Sequence, residues 1–284
     1  MNTVTTLREF QTARAALAGP VGFVPTMGYL HDGHLSLARL ARESCESVVA
    51  SIFVNPTQFA PTEDLSSYPR DLERDLELLE AEGCDLVLAP TTNDEFYPKG
   101  YNTWVDVAGI TQRLEGASRP THFRGVSTVV AKLFNLVQPQ RAFFGQKDAQ
   151  QALVIRRLVR DLNYNIELVL GPTIREQDGL AMSSRNMYLT PEQRAAAPVL
   201  RRCLDHIEKL YADGERKADR LREAMQIFLD AEPLALPDYV SVADLDQLEE
   251  LETVTGQALV SLAVRFGTTR LIDNTVLPKG QGRF

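Results

Sequence analysis

The chain has 284 residues, and its 44% hydrophobic content can fill the core of one large domain or two ordinary ones. Its 30 Lys and Arg residues against 38 Asp and Glu give a formal charge of -8, which disfavours a broad electrostatic grip on DNA, RNA or anionic lipid. The three cysteines form no CxxC pair, so neither a disulfide framework nor a thiolate zinc site is favoured. With no signal-peptide pattern and no run of eighteen apolar residues, we expect a cytoplasmic protein with small-molecule partners, no nucleic acid and no membrane segment.

Short apolar, β-branched runs alternate with amphipathic helical patterns through the first 170 residues. In chain order the patterns predict strands at 21–25, 47–54, 85–90, 141–145 and 166–172, and helices at 34–44, 72–83, 126–137 and 150–163. Alternation of strand and helix is typical of a parallel sheet with crossover helices. We therefore predict a doubly wound α/β domain over residues 1–172, in which ligands bind beyond the C-terminal ends of the strands.

The pattern changes after Gly171-Pro172. Residues 191–231 are rich in Ala, Leu, Arg and Glu at helical spacing, with a predicted break at Asp213-Gly214. Three strands are then predicted at 239–245, 258–267 and 269–277. These elements predict a smaller C-terminal α+β domain over residues 173–284.

The stretch PTMGYLHDGHLS, residues 25–36, places two of only four histidines three residues apart. His31 and His34 follow a predicted strand and open a predicted helix, where backbone N–H groups and the helix dipole favour an anion. The chain has no GxGxxG after the first strand and no GxxxxGK[ST], so a phosphate site must work in another way. Two imidazoles at this turn could donate hydrogen bonds to phosphate oxygens. A metal half-site, or an ordinary turn in which Asp32 caps the helix, stays open as an alternative.

Three further segments carry polar side chains at predicted loop positions. In GQKDAQQ, Lys147 precedes a helix, where its charge opposes the helix dipole and suits a bound phosphate. In MSSRN, residues 182–186, two hydroxyls and a guanidinium could wrap a triphosphate. In VNPTQF, Asn55 and Gln58 could hydrogen-bond a hydroxyl-bearing substrate. The structural alternatives are a surface lysine, a serine-rich linker and a loop that satisfies its own backbone.

Taken together and in this order, PTMGYLHDGH, FVNPTQF, HFRGVSTVVAKLFN, FGQKDAQQ and DGLAMSSRN resemble the pantothenate synthetases, the pantoate:β-alanine ligases of the HIGH-motif nucleotidyltransferase superfamily. The stretch TTRLIDN near the C-terminus fits as well. The resemblance implies a Rossmann-like domain of the nucleotidyltransferase type and a two-step reaction. Pantoate's carboxylate attacks the α-phosphorus of Mg-ATP to give pantoyl-adenylate and pyrophosphate, and the amine of β-alanine then displaces AMP.

The resemblance also implies roles for individual residues. His34 and His31, with Lys147 and Arg185, are implied as the catalytic groups. The implied ATP-binding residues are Met27, Gly28, Tyr29, Leu30, His31, Asp32, Gly33, His34, Gly145, Gln146, Lys147, Asp148, Ile174, Met182, Ser183, Ser184 and Arg185. Gln58, Gln151 and Asn55 are implied to bind pantoate and β-alanine. Two departures from the family pattern are Gln146, where glutamate is common, and Tyr29, where a small residue is common.

For the whole molecule, the resemblance implies a homodimer, Mg²⁺ bound with ATP as co-substrate, and a C-terminal domain that closes over the active site. No residue is assigned as a metal ligand from the sequence. Another HxGH nucleotidyltransferase that forms a dinucleotide or a CDP-alcohol stays open, although Gln58 and Gln151 argue against it. A non-catalytic nucleotide-binding sensor is disfavoured by the intact histidines, lysine and arginine. An RNA-charging enzyme is disfavoured by the acidic balance.

Overall fold

The computed structural model describes residues 1–60 and 65–279. They divide into two compact units. The first unit comprises Met1–Gln146 and Gln150–Pro172, and the second comprises Lys147–Ala149 and the chain from Thr173 onward. Within the described residues, no helix has both the length and the apolar character needed to cross a membrane.

The first unit is a parallel sheet with helices on both faces. Its strands are β1 (Asn2–Val4), β2 (Val21–Thr26), β3 (Ser47–Ile52), β4 (Leu86–Leu88), β5 (Arg141–Gly145) and β6 (Glu167–Gly171), in the spatial order β1-β4-β3-β2-β5-β6. Its helices are α1 (Leu7–Ala15), α2 (Asp32–Ser44), α3 (Leu72–Ala81), α4 (Glu115–Ser118), α5 (His122–Val137) and α6 (Ala149–Asp161), whose first residue groups with the second unit. The predicted doubly wound, Rossmann-like sheet is confirmed.

The strands bury side chains on both faces of this sheet, which explains their nearly continuous apolar sequences. On one face, α1, α5 and α6 cover Phe23 and Val49. On the other face, α2 and α3 cover Val24 and Val48. The alternation of side chains along each strand therefore assigns consecutive residues to two separate cores.

The order of the strands reverses between β2 and β5. From β2 the chain proceeds outward through β3 and β4, and it then returns to β5 on the other side of β2. These two parallel strands pair directly, with Gly22 opposite Arg141 and Phe23 opposite Ala142. Their C-terminal ends open the crevice in which doubly wound sheets bind ligands. The segment that contains both histidines leaves from β2 at this point, and Gln146 follows β5.

The second unit is an α+β arrangement, as predicted. Its elements are α7 (Pro191–Ala196), α8 (Val199–Ala212), α9 (Ala218–Asp230), β7 (Leu236–Ala243), β8 (Ala258–Phe266) and β9 (Thr269–Leu277), with the three strands antiparallel in the order β7-β8-β9. Leu204 of α8 and Met225 of α9 are fully buried in one core with Leu262 of β8. The helical break predicted at Asp213-Gly214 lies between α8 and α9.

Candidate active site

A carboxylate from α3 shapes the turn between β2 and α2. Gly28 and Tyr29 have positive φ angles of 86° and 52°. The Oδ2 atom of Asp75 accepts a hydrogen bond from the backbone N–H of Tyr29 at 2.6 Å, and Oδ1 accepts one from Leu30 at 2.7 Å. A Cβ on residue 28 would lie 3.0 Å from Cγ2 of Ile52 and 3.1 Å from Asp75 Oδ2, so glycine suits both the φ angle and the space.

Asp75 is an ionisable group with almost no access to solvent, since it is 1% exposed. Burial raises the pKa of its carboxyl group, while the hydrogen bonds from Leu30 and Tyr29 act in the opposite direction. The guanidinium of Arg74 is 3.6 Å from Oδ1 and also lies over the ring of Tyr29, 5.6 Å from its centroid. The tyrosine that departs from the family pattern is thus packed against the same helix that holds the turn.

The two histidines of the motif form the N-terminal cap of α2. Nδ1 of His31 accepts a hydrogen bond from Gly33 N at 3.2 Å, and Nδ1 of His34 accepts one from His31 N at 3.3 Å. The ring centroids are 4.1 Å apart. Because each Nδ1 acts as an acceptor, each neutral imidazole carries its proton on Nε2. The start of α2 therefore presents two imidazole N–H donors beside the positive end of the helix dipole.

The predicted substrate amides of the VNPTQF segment form a buried network after β3. Nδ2 of Asn55 donates to Gln58 Oε1 and to the carbonyl oxygen of Gly125, each at 3.1 Å. Oδ1 of Asn55 accepts hydrogen bonds from Thr57 and from the hydroxyl of Tyr97. Since the protein itself uses both ends of the Asn55 amide, we infer that Asn55 chiefly fixes Gln58.

Gln58 joins this network to the turn between β2 and α2. Its side chain is buried, and Nε2 lies 2.7 Å from Sδ of Met27, the residue that precedes Gly28. A thioether sulfur is a weak acceptor, so a substrate oxygen offered to this amide N–H would make a stronger bond. The arrangement places an amide donor at the start of the turn that carries the histidines.

Residues at the N-terminal end of α5 and just before it bind the backbone of Gln58. Nδ1 of His122 is 2.8 Å from the Gln58 carbonyl oxygen, and Arg119 donates to the same oxygen at 3.3 Å. A Cβ on Gly125 would lie 2.4 Å from the carbonyl oxygen of Thr57 and 2.6 Å from Gln58 N. The glycine in HFRG therefore allows the helix to approach the Gln58 turn closely.

The adjacent glutamines at the start of α6 have different environments. Gln150 is 5% exposed; its Oε1 accepts from Glu115 N at 3.0 Å, and its Nε2 donates to the carbonyl oxygens of Ile110 and Arg113, each at 2.8 Å. Gln151 is only half-buried. The first glutamine therefore holds the 110–115 segment in place, whereas the second keeps part of its surface exposed to solvent.

A cavity of about 700 Å³ lies in the first unit at the C-terminal ends of β3 and β4. Met27 and Gly28 line it together with Arg70, Asp75 and Thr91. Its volume is in the range of small-molecule sites, and it combines apolar walls with a few charged groups. The start of the turn between β2 and α2 thus borders a space large enough for a small molecule.

In the second unit, the remaining predicted ATP residues occupy a short hairpin and the turn before α6. The backbone N–H of Met182 donates to the carbonyl oxygen of Ile174 at 3.0 Å, so these two predicted residues are neighbours. Ser183 caps a 3₁₀ turn at Ser184–Tyr188 by accepting a hydrogen bond from Arg185 N at 3.3 Å. In the turn Gln146–Asp148, Nζ of Lys147 is 3.6 Å from Asp148 Oδ1.

The structure thus brings Met27–His34, Asn55 and Gln58 together in the first unit, which also holds Gly145, Gln146 and Gln151. The second unit holds Lys147, Asp148, Ile174 and Met182–Arg185. The sequence patterns did not predict a role for the supporting residues Asp75, Arg119, His122 and Gln150. A signal for one of them was present in HFRGVSTVVAKLFN, whose first residue is His122.

The chain was compared with known proteins. The sequence model of the family described as pantoate-beta-alanine ligase matches residues 1–276. The chain is 64% identical over 277 residues to pantothenate synthetase from Roseiflexus sp. (strain RS-1), which covers 98% of this chain and 99% of the relative. It is 57% identical over 284 residues to pantothenate synthetase from Chloroflexus aurantiacus, with complete coverage of both chains.

Solved structures give the same result. Pantothenate synthetase from Thermus thermophilus superposes with a TM-score of 0.92 at 51% identity, covering 97% of this chain and 99% of that one. Pantoate-beta-alanine ligase from Francisella tularensis, a complex with β,γ-ATP and β-alanine, gives a TM-score of 0.78 at 33% identity, with 97% of each chain covered. The resemblance predicted from the sequence motifs is confirmed over almost the whole chain.

Proposed function

We propose that this chain, which belongs to the pantoate–β-alanine ligase family, makes pantothenate through a pantoyl-adenylate intermediate. In the first step the carboxylate of pantoate attacks the α-phosphorus of ATP, and pyrophosphate leaves with the electrons of the broken P–O bond. In the second step the amine of β-alanine attacks the acyl carbon, AMP leaves, and the new amide nitrogen gives up a proton. Activation is needed because a carboxylate is a poor acyl donor, whereas AMP is a good leaving group.

His31 and His34 would stabilise the charge that builds up on the phosphates in the first step. Their Nε2–H donors follow from the backbone hydrogen bonds that both Nδ1 atoms accept. The N-terminus of α2 adds the partial positive charge of the helix dipole at the same place. Donors that are already fixed before the reaction need no reorganisation in the transition state.

Lys147 and Arg185 would carry the positive charges on the phosphate side. A lysine in the turn before α6 is unfavourable for the helix dipole, so a bound phosphate would compensate its charge there. Arg185 can donate two parallel hydrogen bonds to phosphate oxygens, next to the hydroxyls of Ser183 and Ser184. Ile174 and Met182, which are hydrogen-bonded neighbours, would line the nucleotide beyond the phosphates.

Gln58 and Gln151 would select pantoate. The observation that carries this assignment is the contact between Gln58 Nε2 and Met27 Sδ, because it places a buried amide donor beside the turn between β2 and α2. An amide offers both a donor and an acceptor, and it can satisfy a hydroxyl and a carboxylate oxygen together. Nucleotidyltransferases that use the HxGH turn on other substrates would not need Gln58 and Gln151.

Mg²⁺ would reach the site on ATP. This cation usually takes one or two protein carboxylates at most and completes its shell with phosphate oxygens and water. Across residues 1–60 and 65–279, no group of three His, Cys, Asp or Glu side chains is arranged to hold a metal on its own. Bound Mg²⁺ would neutralise part of the phosphate charge.

The resemblance further supports a homodimer in the cytoplasm. Light scattering coupled to size-exclusion chromatography would test the assembly. A mass near twice the 31.6 kDa of one chain is the expected result, and a mass near 31.6 kDa would contradict it.

The assignment of pantoate to the glutamines is tested by Gln58→Ala and Gln151→Ala. Each substitution should leave a pantoate oxygen or a buried partner without its hydrogen bond, which costs about 1–3 kcal/mol of binding free energy per group. The KM for pantoate should therefore rise, while the KM for ATP changes little. Gln226→Ala on α9, which removes an amide bonded to Asp230, is the matched control. A large rise in the KM for ATP with an unchanged KM for pantoate would place the pocket elsewhere.

A further inference from the structure

Two adjacent residues of β9, Asp273 and Asn274, hold both segments of the second unit to which we assign ATP phosphates. Nδ2 of Asn274 donates to the carbonyl oxygen of Lys147 at 2.8 Å. The carboxylate of Asp273 accepts two hydrogen bonds from the guanidinium of Arg175, at 2.6 and 2.9 Å. Asp273 is 2% exposed and Asn274 is 4% exposed. Buried polar side chains form hydrogen bonds within the protein, as these two do.

The contact of Asp273 with Arg175 controls the hairpin that leads to Arg185. Arg175 pairs with Ala181 across the hairpin, and its guanidinium also donates to the carbonyl oxygen of Gly179 at 3.1 Å. One guanidinium therefore ties the tip of the hairpin to β9. Because Ser183 follows the hairpin directly, the position of Ser183–Arg185 depends on this anchor.

The contact of Asn274 acts on the main chain of Lys147. A hydrogen bond to its carbonyl oxygen fixes the orientation of the peptide between Lys147 and Asp148, and thereby the direction in which the lysine side chain leaves the backbone. The two β9 residues are also coupled to each other, since Asp273 Oδ1 accepts a hydrogen bond from Asn274 N at 2.8 Å.

We propose that Asp273 and Asn274 are positioning residues for the ATP-dependent step, holding Lys147 and the 182–185 loop in the geometry that receives the phosphates. They act through these segments and touch no substrate themselves. This inference rests on the proposed roles of Lys147 and Arg185. It gives a reason for the burial of two consecutive polar side chains, Asp273 and Asn274, in β9.

The first test is Asn274→Ala, measured separately in the two half-reactions. Its kcat/KM for ATP in pantoate-dependent exchange of pyrophosphate into ATP should fall about 10–100-fold, because misplacement of a binding group by about 1 Å has effects of this size. Pantothenate formation from synthetic pantoyl-adenylate and β-alanine should change little. Equal losses in both half-reactions would indicate a purely structural role and overturn the proposal.

Thr275→Val is the matched control on the same strand. Thr275 is 7% exposed, and its hydroxyl donates to Glu208 at 2.8 Å, so this substitution also removes a buried hydrogen bond of β9. It leaves the contacts of β9 with the Lys147 turn and the hairpin in place. It should lower thermal stability without a selective effect on the ATP step, and a selective effect as large as that of Asn274→Ala would contradict the inference.

A double-mutant cycle shows whether Asn274 acts through Lys147. If it does, adding Asn274→Ala to Lys147→Ala should cause little further loss in exchange, since the group being positioned is already absent. Fully additive losses would mean that Asn274 acts by another route. Exchange that is unimpaired in Lys147→Ala would instead refute the proposed role of the lysine itself, so the two failures can be told apart.

The Asp273 arm is tested with Arg175→Lys, because truncating one partner of a buried ion pair could unfold the protein. Lysine keeps the compensating charge but loses the planar fork that makes two hydrogen bonds. The variant should stay folded, as checked by circular dichroism, with a raised KM for ATP in exchange and normal use of synthetic pantoyl-adenylate. An unchanged KM for ATP in the folded variant would remove Asp273 from the proposal.

Discussion

His34 accepts a backbone hydrogen bond at Nδ1, which favours the tautomer that carries its proton on Nε2. Its Nδ1 accepts from His31 N, which leaves Nε2–H as the donor for phosphate. His34→Ala should therefore fold and yet lose about 100–1,000-fold in kcat, the range for the loss of one fixed transition-state donor. Steady-state kinetics on the folded variant measure this, and near-normal turnover would end the assignment.

Two amide replacements separate the capping role of His34 from its role as a donor. In His34→Asn the amide oxygen can replace Nδ1 as the acceptor for His31 N, but no N–H reaches the place of Nε2. In His34→Gln the longer amide can reach that place. We expect the glutamine variant to retain more activity than the asparagine variant at similar thermal stability, and the reverse order would indicate that the cap is what matters.

Asp75 gives a pH dependence of stability whose sign can be stated. Burial raises its pKa in the folded protein, so the native state binds this proton more tightly than the unfolded state does. The contribution of this proton to the unfolding free energy is therefore fully present below the unfolded pKa and is lost as the pH rises through the folded pKa. Asp75→Asn cannot titrate and removes this contribution.

Urea denaturation of wild type and Asp75→Asn between pH 7 and pH 4 tests this directly. As the pH falls, the unfolding free energy of wild type should increase relative to that of Asp75→Asn. A shift in favour of the variant over the same range would show that the hydrogen bonds from Tyr29 and Leu30 outweigh burial, and that the folded pKa lies below its ordinary value.

At the scale of elements, the contact between α5 and the Gln58 turn has no room for a side chain at Gly125. In Gly125→Ala the new Cβ would lie 2.4 Å from a backbone oxygen, so the helix and the turn must separate. We expect a loss of about 1–3 kcal/mol in unfolding free energy, as in other overpacked sites, together with a raised KM for pantoate. Gly256→Ala, where a Cβ would meet nothing within 4 Å, is the control. An unchanged KM for pantoate in folded Gly125→Ala would show that the position of α5 does not affect pantoate binding.

Elements with strong periodicity could be predicted from the sequence, and elements defined by long-range contacts could not. β5 and β9 have the predicted bounds because their apolar runs end at clear turns. β1 has only three residues, and α1 buries only Phe10 fully, so neither gave a usable pattern. α5 begins at His122, four residues before its predicted start, because Gly125 and the polar residues around it obscured the helical pattern.

At the scale of the whole molecule, the sequence predicted candidate ligand-binding residues more readily than the residues that hold them in place. His31, His34 and Gln58 were predicted because the motifs that contain them follow predicted strands and resemble a known pattern. Asp75 lies more than 40 residues from the turn that it holds, and Asn274 lies 127 residues from Lys147. Such contacts have no local signature in a single sequence, so they emerge only from the fold.

Adenylation of pantoate, as the first step of the reaction, is what most of these residue roles depend on. It is tested most directly by exchange of labelled pyrophosphate into ATP, with wild-type protein and Mg²⁺, in the absence of β-alanine. We predict rapid exchange with pantoate and none without it, because only a reversible adenylation returns the label to ATP. Exchange that is independent of pantoate, or that begins only when β-alanine is added, would contradict a free-standing pantoyl-adenylate step.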